Sequence, residues 1–146
     1  IHFRGVATVV TKLMNITRAD EAFFGQKDAQ QVVVVRRFVS DLNLPVHINM
    51  VPIVREESGL ARSSRNAYLS PEEKQAALVL SRSLRKAKAA YEGGEKDVET
   101  LKSIVTKEIQ AEPMALKPIQ TVDQESLLAI AVRIGKTRLI DNVILG

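Results

Sequence analysis

Apolar residues in the first third of the chain keep changing their spacing, and each change marks an element. From Gly5 to Ile16 they fall at Val6, Val9, Val10, Leu13 and Met14, which predicts a helix with one buried face. The β-branched valines in it work against that reading. Arg18-Ala19-Asp20 reads as a loop, and Glu21 to Phe24 as a short strand ending at Gly25. Val32 to Val35 would suit a strand. However, Val32, Val35, Phe38, Val39 and Leu42 recur at helical spacing, with Arg36, Arg37, Ser40 and Asp41 between them, so Val32–Leu42 is expected to be a helix. Asn43-Leu44-Pro45 breaks it, and Val46 to Val51 is a second strand closed by Pro52. Strand, helix and strand within about thirty residues make a βαβ unit. Such a unit implies a parallel sheet that takes ligands at the carboxyl ends of its strands.

The pattern changes after Asn66. Ser70-Pro71-Glu72-Glu73 has serine at a helix N-cap, proline at the first position and glutamate at the third. Ala76, Leu80, Leu84, Ala87 and Tyr91 then form a core stripe, which Gly93-Gly94 ends. Val98, Leu101, Ile104, Val105 and Ile109 mark another helix, stopped before Pro113. Three strands are expected after it: Ile119–Val122, Leu128–Arg133 and Arg138–Leu145, with a turn at Gly135-Lys136. Gly135-Lys136-Thr137 ends like a P-loop, but the earlier glycine is missing because position 130 is Ile130, so a hairpin turn is the better reading. The expected organisation is α/β, the end of a parallel sheet over 1–66, followed by a small α+β domain over 67–146.

Composition narrows the chemistry. The 146 residues include no cysteine and only two distant histidines, His2 and His47, so thiolate and zinc sites are not expected. No apolar run approaches the roughly 20 residues of a bilayer span, so no membrane partner is expected. Ile1-His2-Phe3-Arg4 carries neither an initiator methionine nor a signal-peptide pattern and reads as a cut into a longer protein. A cytoplasmic setting is the expectation. The net charge of +4 permits nucleic-acid binding, but anionic small molecules explain it equally well. Without tryptophan and without a basic stripe interleaved with aromatics, a stacking surface for single strands is poorly supported.

Two segments carry candidate chemistry. In Phe24-Gly25-Gln26-Lys27-Asp28-Ala29-Gln30-Gln31, a strand ends in a turn at Gly25 that feeds a helix whose positive end suits an anion. A bound anion would explain the tolerance of Lys27 there, and Asp28 could take a ribose hydroxyl. The alternative is an ordinary strand-to-helix turn with solvated polar residues. The second segment, Gly59-Leu60-Ala61-Arg62-Ser63-Ser64-Arg65-Asn66, follows the second strand and so leaves the same sheet edge. Adjacent serine hydroxyls and two guanidinium groups can wrap a polyphosphate, although a polar surface connection would look the same. Arg82, Arg85, Lys86 and Lys88 read as a solvated helix face.

These two segments, together with His2-Phe3-Arg4-Gly5-Val6 and Arg138-Leu139-Ile140-Asp141-Asn142, resemble the pantothenate synthetase (pantoate–β-alanine ligase) family in order and spacing. The resemblance implies a Rossmann-like nucleotidyltransferase domain of the HIGH superfamily and a smaller carboxy-terminal domain. It also implies condensation of pantoate with β-alanine through a pantoyl adenylate, with ATP as co-substrate and Mg2+ on its phosphates. By motif, Gly25, Gln26 and Asp28 would approach the ribose, and Lys27 the phosphates. Ser63, Ser64 and Arg65 would hold the phosphates from the other side, and the backbone of Val54 and Arg62 would lie beside the adenine. Gln31 would bind pantoate. Lys27, Arg65 and His2 are the catalytic candidates, with His2 equally readable as structural. A homodimer and no nucleic-acid partner are further expectations from the family.

Three departures from the family pattern qualify this. Arg62 stands where a medium apolar residue is usual. The family's histidine-containing HIGH-type motif and a second pantoate-binding glutamine have no counterpart in these residues, so the chain alone is expected to be an incomplete enzyme. The stretch Pro118–Ile130 is shorter than expected, as if a loop were missing. The competing readings are a basic nucleic-acid-binding module and an inactive interaction or oligomerisation fragment.

Overall fold

The computed structural model describes residues 2–116, 119–123 and 127–146. The chain divides into two compact units, Ile1–Ile53 and Val54–Gly146.

The first unit opens with helix α1, His2–Thr17. Its core side is carried by Met14, with Val6 and Val10 packed alongside. Val9, Leu13 and Ile16, the first two expected in the buried stripe, are exposed instead. Strand β1, Glu21–Gly25, leads through a 3-10 turn at Gln26–Asp28 into helix α2, Ala29–Asp41. Strand β2 is His47–Val51. β1 and β2 pair in parallel with Glu21 opposite His47 and Gly25 opposite Val51, so the βαβ reading holds. Four residues in a row are valine, yet α2 is helical. Val32, Val35 and Val39 are buried along one side, and that tertiary packing outweighs the β-branched preference for extended backbone.

The second unit begins with a narrow hairpin in which Arg55 bridges Ala61, followed by a 3-10 turn at Ser64–Tyr68. The expected domain boundary at Asn66 lies inside this unit. Val54–Asn66 belongs with the later residues because Arg55 pairs with Asp141, far along the chain.

Helix α3, Pro71–Glu92, starts with a full capping box. Ser70 accepts from the Glu73 N–H, and Glu73 accepts from the Ser70 N–H. Helix α4 is Val98–Gln110, capped by Asp97, which accepts from the Thr100 N–H at 2.7 Å. Strands β3 (Ile119–Asp123), β4 (Leu127–Ile134) and β5 (Thr137–Ile144) form an antiparallel sheet in that order. The β4–β5 connection is a two-residue turn with Gly135 at φ +53°, as the hairpin reading of Gly135-Lys136 requires. Pro118 and part of the stretch read as lacking a loop, residues 124–126, lie outside the described residues.

Leu80, Leu84, Leu101, Val105, Ile109, Leu128 and Ile134 form the centre of the second unit's core. α3 touches both α4 and the sheet, so its buried face is wider than the predicted stripe. It takes in Ser81 and Ser83, whose hydroxyls donate to the Leu78 and Leu80 carbonyls.

Arg82 Nε donates to Glu108 Oε1 at 2.7 Å, and Lys86 pairs with the other oxygen of the same carboxylate. Lys88 lies 3.7 Å from Glu92. This basic face of α3 is therefore largely neutralised, as the solvated-face reading expects. The Lys86 and Arg82 hydrogen bonds hold the Glu108 carboxyl below the ordinary glutamate value. A depressed folded-state pKa contributes stability above the unfolded value and loses it as pH falls through the folded one. Glu108→Gln should therefore lower stability near neutrality, by about 1 kcal/mol or less, because both cations are largely open to solvent. The difference from the parent should shrink as pH falls through the depressed folded-state value, below which both carry a neutral group. Thermal melts of both proteins at neutral pH and across the acid range check this.

Candidate functional site

The predicted site residues form two groups, one in each unit. In the first unit, β1 delivers Gly25 to the carboxyl end of the parallel pair, beside the end of β2. Gly25 is not a left-handed turn residue. Its φ of −70° and ψ of 129° are extended, and a Cβ built there would meet nothing within 4 Å. The turn is made by the 3-10 residues Gln26–Asp28, and the glycine keeps open space next to them.

Lys27 is mostly covered, with its side chain 17% exposed, and its ammonium lies 4.0 Å from the more open carboxylate of Asp28. Asp28 occupies the N-cap position of α2, yet its side chain accepts no capping bond. The 13-residue helix thus presents its first N–H groups without that cap. Gln31 is half-buried, three residues beyond Asp28 and so on the same side of the helix start. His2 is exposed in the first turn of α1, its ring tilted at 5.3 Å from that of Phe3.

In the second unit, Ser63, Ser64 and Arg62 line one cleft of about 570 Å³ together with Glu56, a residue that sequence reasoning alone does not single out. Ser63 caps the following turn, its Oγ accepting from the Arg65 N–H at 3.2 Å. The hydroxyl hydrogen remains available to a ligand oxygen, because a serine both accepts and donates. Ser64 and Arg65 are exposed. The Arg62 N–H is bonded to the Val54 carbonyl at 2.9 Å, so the two backbone segments assigned to the adenine are zipped together. The arginine side chain is exposed, which suits a position used for its backbone.

Buried Asn66 and half-buried Arg55 brace the segment that lines this cleft. Asn66 Nδ2 donates to Glu56 Oε1 at 2.9 Å and to the Ala61 carbonyl at 3.1 Å, tying the turn to the hairpin. Its Oδ1 is buried with no hydrogen-bond partner among the described residues. Arg55 forms a forked pair with Asp141, at 2.7 and 3.0 Å, and also donates to the Gly59 carbonyl at 3.2 Å. Gly59 itself sits at φ +93°, where an L side chain would be strained, and an added Cβ would meet Arg85 at 3.0 Å. Periodicity could not reveal Glu56 or Asn66. Asn66 is marked only as the last residue of the polar segment, and Glu56 lies just before it.

No helix among the described residues is long and apolar enough to cross a membrane. No three histidine, aspartate or glutamate side chains among them converge as a metal cage.

The family model described as pantoate-beta-alanine ligase matches residues 1–144. A curated pantothenate synthetase of Heliobacterium modesticaldum is 58% identical over 98% of this chain and 55% of its own length. A crystal structure of pantothenate synthetase from Thermus thermophilus superposes with a TM-score of 0.91 at 38% identity, covering 99% of this chain and 56% of that one. The structure of the Francisella tularensis pantoate-beta-alanine ligase, in complex with β-γ ATP and β-alanine, has a TM-score of 0.76 at 32% identity, covering 99% of this chain and 51% of that one. The chain spans about half the length of the curated relatives it matches. By the reach of that match, it belongs to the pantoate–β-alanine ligase family.

Proposed function

We propose that this chain supplies two phosphate-handling loops and the small domain of an ATP-dependent ligase that joins pantoate to β-alanine. The carrying observation is that both anion-suited segments, 25–31 and 59–66, lie within the one family match over residues 1–144. By the resemblance, residues 1–66 are read as part of the nucleotidyltransferase domain and 67–146 as the small domain, with Val54–Asn66 packed in the later compact unit.

In the first step the pantoate carboxylate attacks the α-phosphorus of ATP. The bond to the β-phosphate oxygen breaks, and pyrophosphate leaves. In the second, the β-alanine amine attacks the acyl carbon, AMP departs, and the nitrogen loses a proton. Both steps need positioned anions and compensated charge more than covalent help. Lys27, beside Asp28 at the start of α2, would meet phosphate oxygens, and Asp28 and Gln26, with the open space at Gly25, would take the ribose. Ser63 and Ser64 would donate hydroxyl hydrogens, and Arg65 would offer forked donors to the departing pyrophosphate. The Val54 and Arg62 backbone would border the adenine. Gln31 can donate and accept at once, as pantoate's hydroxyl and carboxylate require. His2 is the third catalytic candidate, in a segment the family places near the pocket.

Mg2+ would enter on the nucleotide and neutralise its phosphates. Mg2+ commonly binds through substrate phosphates and water rather than a protein cage, and the described side chains offer no such cage. The intact enzyme is read as a cytoplasmic homodimer, as the family resemblance implies.

The test is pyrophosphate release by the full-length protein with ATP and pantoate, then formation of AMP and pantothenate on adding β-alanine. Release that does not depend on pantoate would overturn this reading.

A further inference from the structure

The segment Arg138–Asn142 carries part of the family likeness but has no role in the reaction as derived so far. Within it, Asp141 and Asn142 are both 2% exposed, unusual for polar residues in a small sheet. Asp141 spends both carboxylate oxygens on Arg55, 86 positions away in sequence, and Oδ1 also accepts from the Asn142 N–H at 2.8 Å. Arg55 in turn bridges Ala61 and donates to the Gly59 carbonyl, so it grips both sides of the hairpin. That hairpin runs directly into Arg62, Ser63 and Ser64, which line the cleft.

We propose that Asp141 is a positioning residue for the Ser63–Ser64 loop, acting through Arg55 to hold the serine hydroxyls where nucleotide phosphates bind. The identity of the ligand rests on the ligase reading, whereas the mechanical link rests on the contacts alone. A forked guanidinium–carboxylate pair fixes orientation as well as distance, which a single-point contact cannot do. Removing the Asp141 charge leaves the Arg55 fork without its partner and lets the hairpin drift. Small displacements of a positioning element are costly for binding and rate.

The experiment compares full-length parent, Asp141→Asn and Arg55→Lys. For Asp141→Asn, the expected result is a KM for ATP raised about tenfold, with the pantoate and β-alanine KM values changed by less than about twofold. Amide hydrogen exchange should quicken across 62–66 while the α3 amides of Leu80 and Leu84 stay protected. Arg55→Lys keeps the charge but loses the fork, so it should shift both readouts the same way by less. If Asp141→Asn does not fold, Arg55→Lys decides on the same two readouts. A folded variant with an unchanged ATP KM, or with unchanged exchange across 62–66, overturns the proposal. A role in general stability alone would lower the melting temperature without separating the three KM values. Should the parent show no pantoate-dependent reaction, the ligase reading fails, and exchange across 62–66 alone decides whether Asp141 sets the loop.

Discussion

Lys27→Ala in the full-length protein should slow pantoate-dependent pyrophosphate release by about a hundred- to a thousandfold, the effect of losing one preorganised charge donor. The same change should alter the stability of the fold only slightly. A cation at the start of a helix opposes the helix dipole, so removing it is neutral or stabilising by about 0.3–1 kcal/mol. Lys27 stands just there, in the 3-10 turn that opens into α2. Losing the 4.0 Å contact with Asp28 offsets part of that gain. Activity and stability should thus move apart. Stopped-time pyrophosphate assays and thermal melts on the same preparations measure both. Undiminished release would remove Lys27 from the mechanism.

Leu84→Ala should do the opposite, leaving the chemistry intact in whatever fraction remains folded. Leu84 is 1% exposed in the middle of α3 and belongs to the cluster joining α3, α4 and the antiparallel sheet. Truncation there loses transfer free energy and opens a cavity that helices packed on two sides cannot readily close. The expected loss is about 2–5 kcal/mol, read as a lower urea midpoint at unchanged slope. Against the roughly 5–15 kcal/mol typical of whole domains, that is a large share.

Much of this fold can be read in advance where a local rule and the tertiary structure agree. Ser70-Pro71-Glu72-Glu73 announces α3, because cap, proline and reciprocal glutamate are all short-range features. Phe24-Gly25-Gln26-Lys27-Asp28 locates a strand end turning into a helix for the same reason. Sequence reasoning stumbles where distant residues decide. Val9 and Leu13 fit the helical stripe of α1 by spacing, but the packed face is centred on Val6, Val10 and Met14. Gly25, expected to serve a turn, is extended, since the 3-10 residues after it supply the change of direction. The division into compact units falls after Ile53, where no change of periodicity marks it, and the Arg55–Asp141 pair links Val54–Asn66 to distant residues. In the candidate site, Lys27, Ser63 and Ser64 stand out in the sequence as charge and hydroxyls within polar segments. Glu56 and Asn66 are not, since their importance is that they touch each other.

The pairing of Arg55 with Asp141 also sets an order of events during synthesis. Ribosomes make the hairpin and the Ser63–Ser64 turn first, and α3 and α4 can form from local interactions as they emerge. The carboxylate that grips Arg55 belongs to β5, 86 positions further along, and reaching it requires closing that long interval. Until β5 has emerged and paired with β4, the Arg55 fork has no carboxylate to close on. The Ser63–Ser64 turn should therefore settle into its final shape well after its own residues are made.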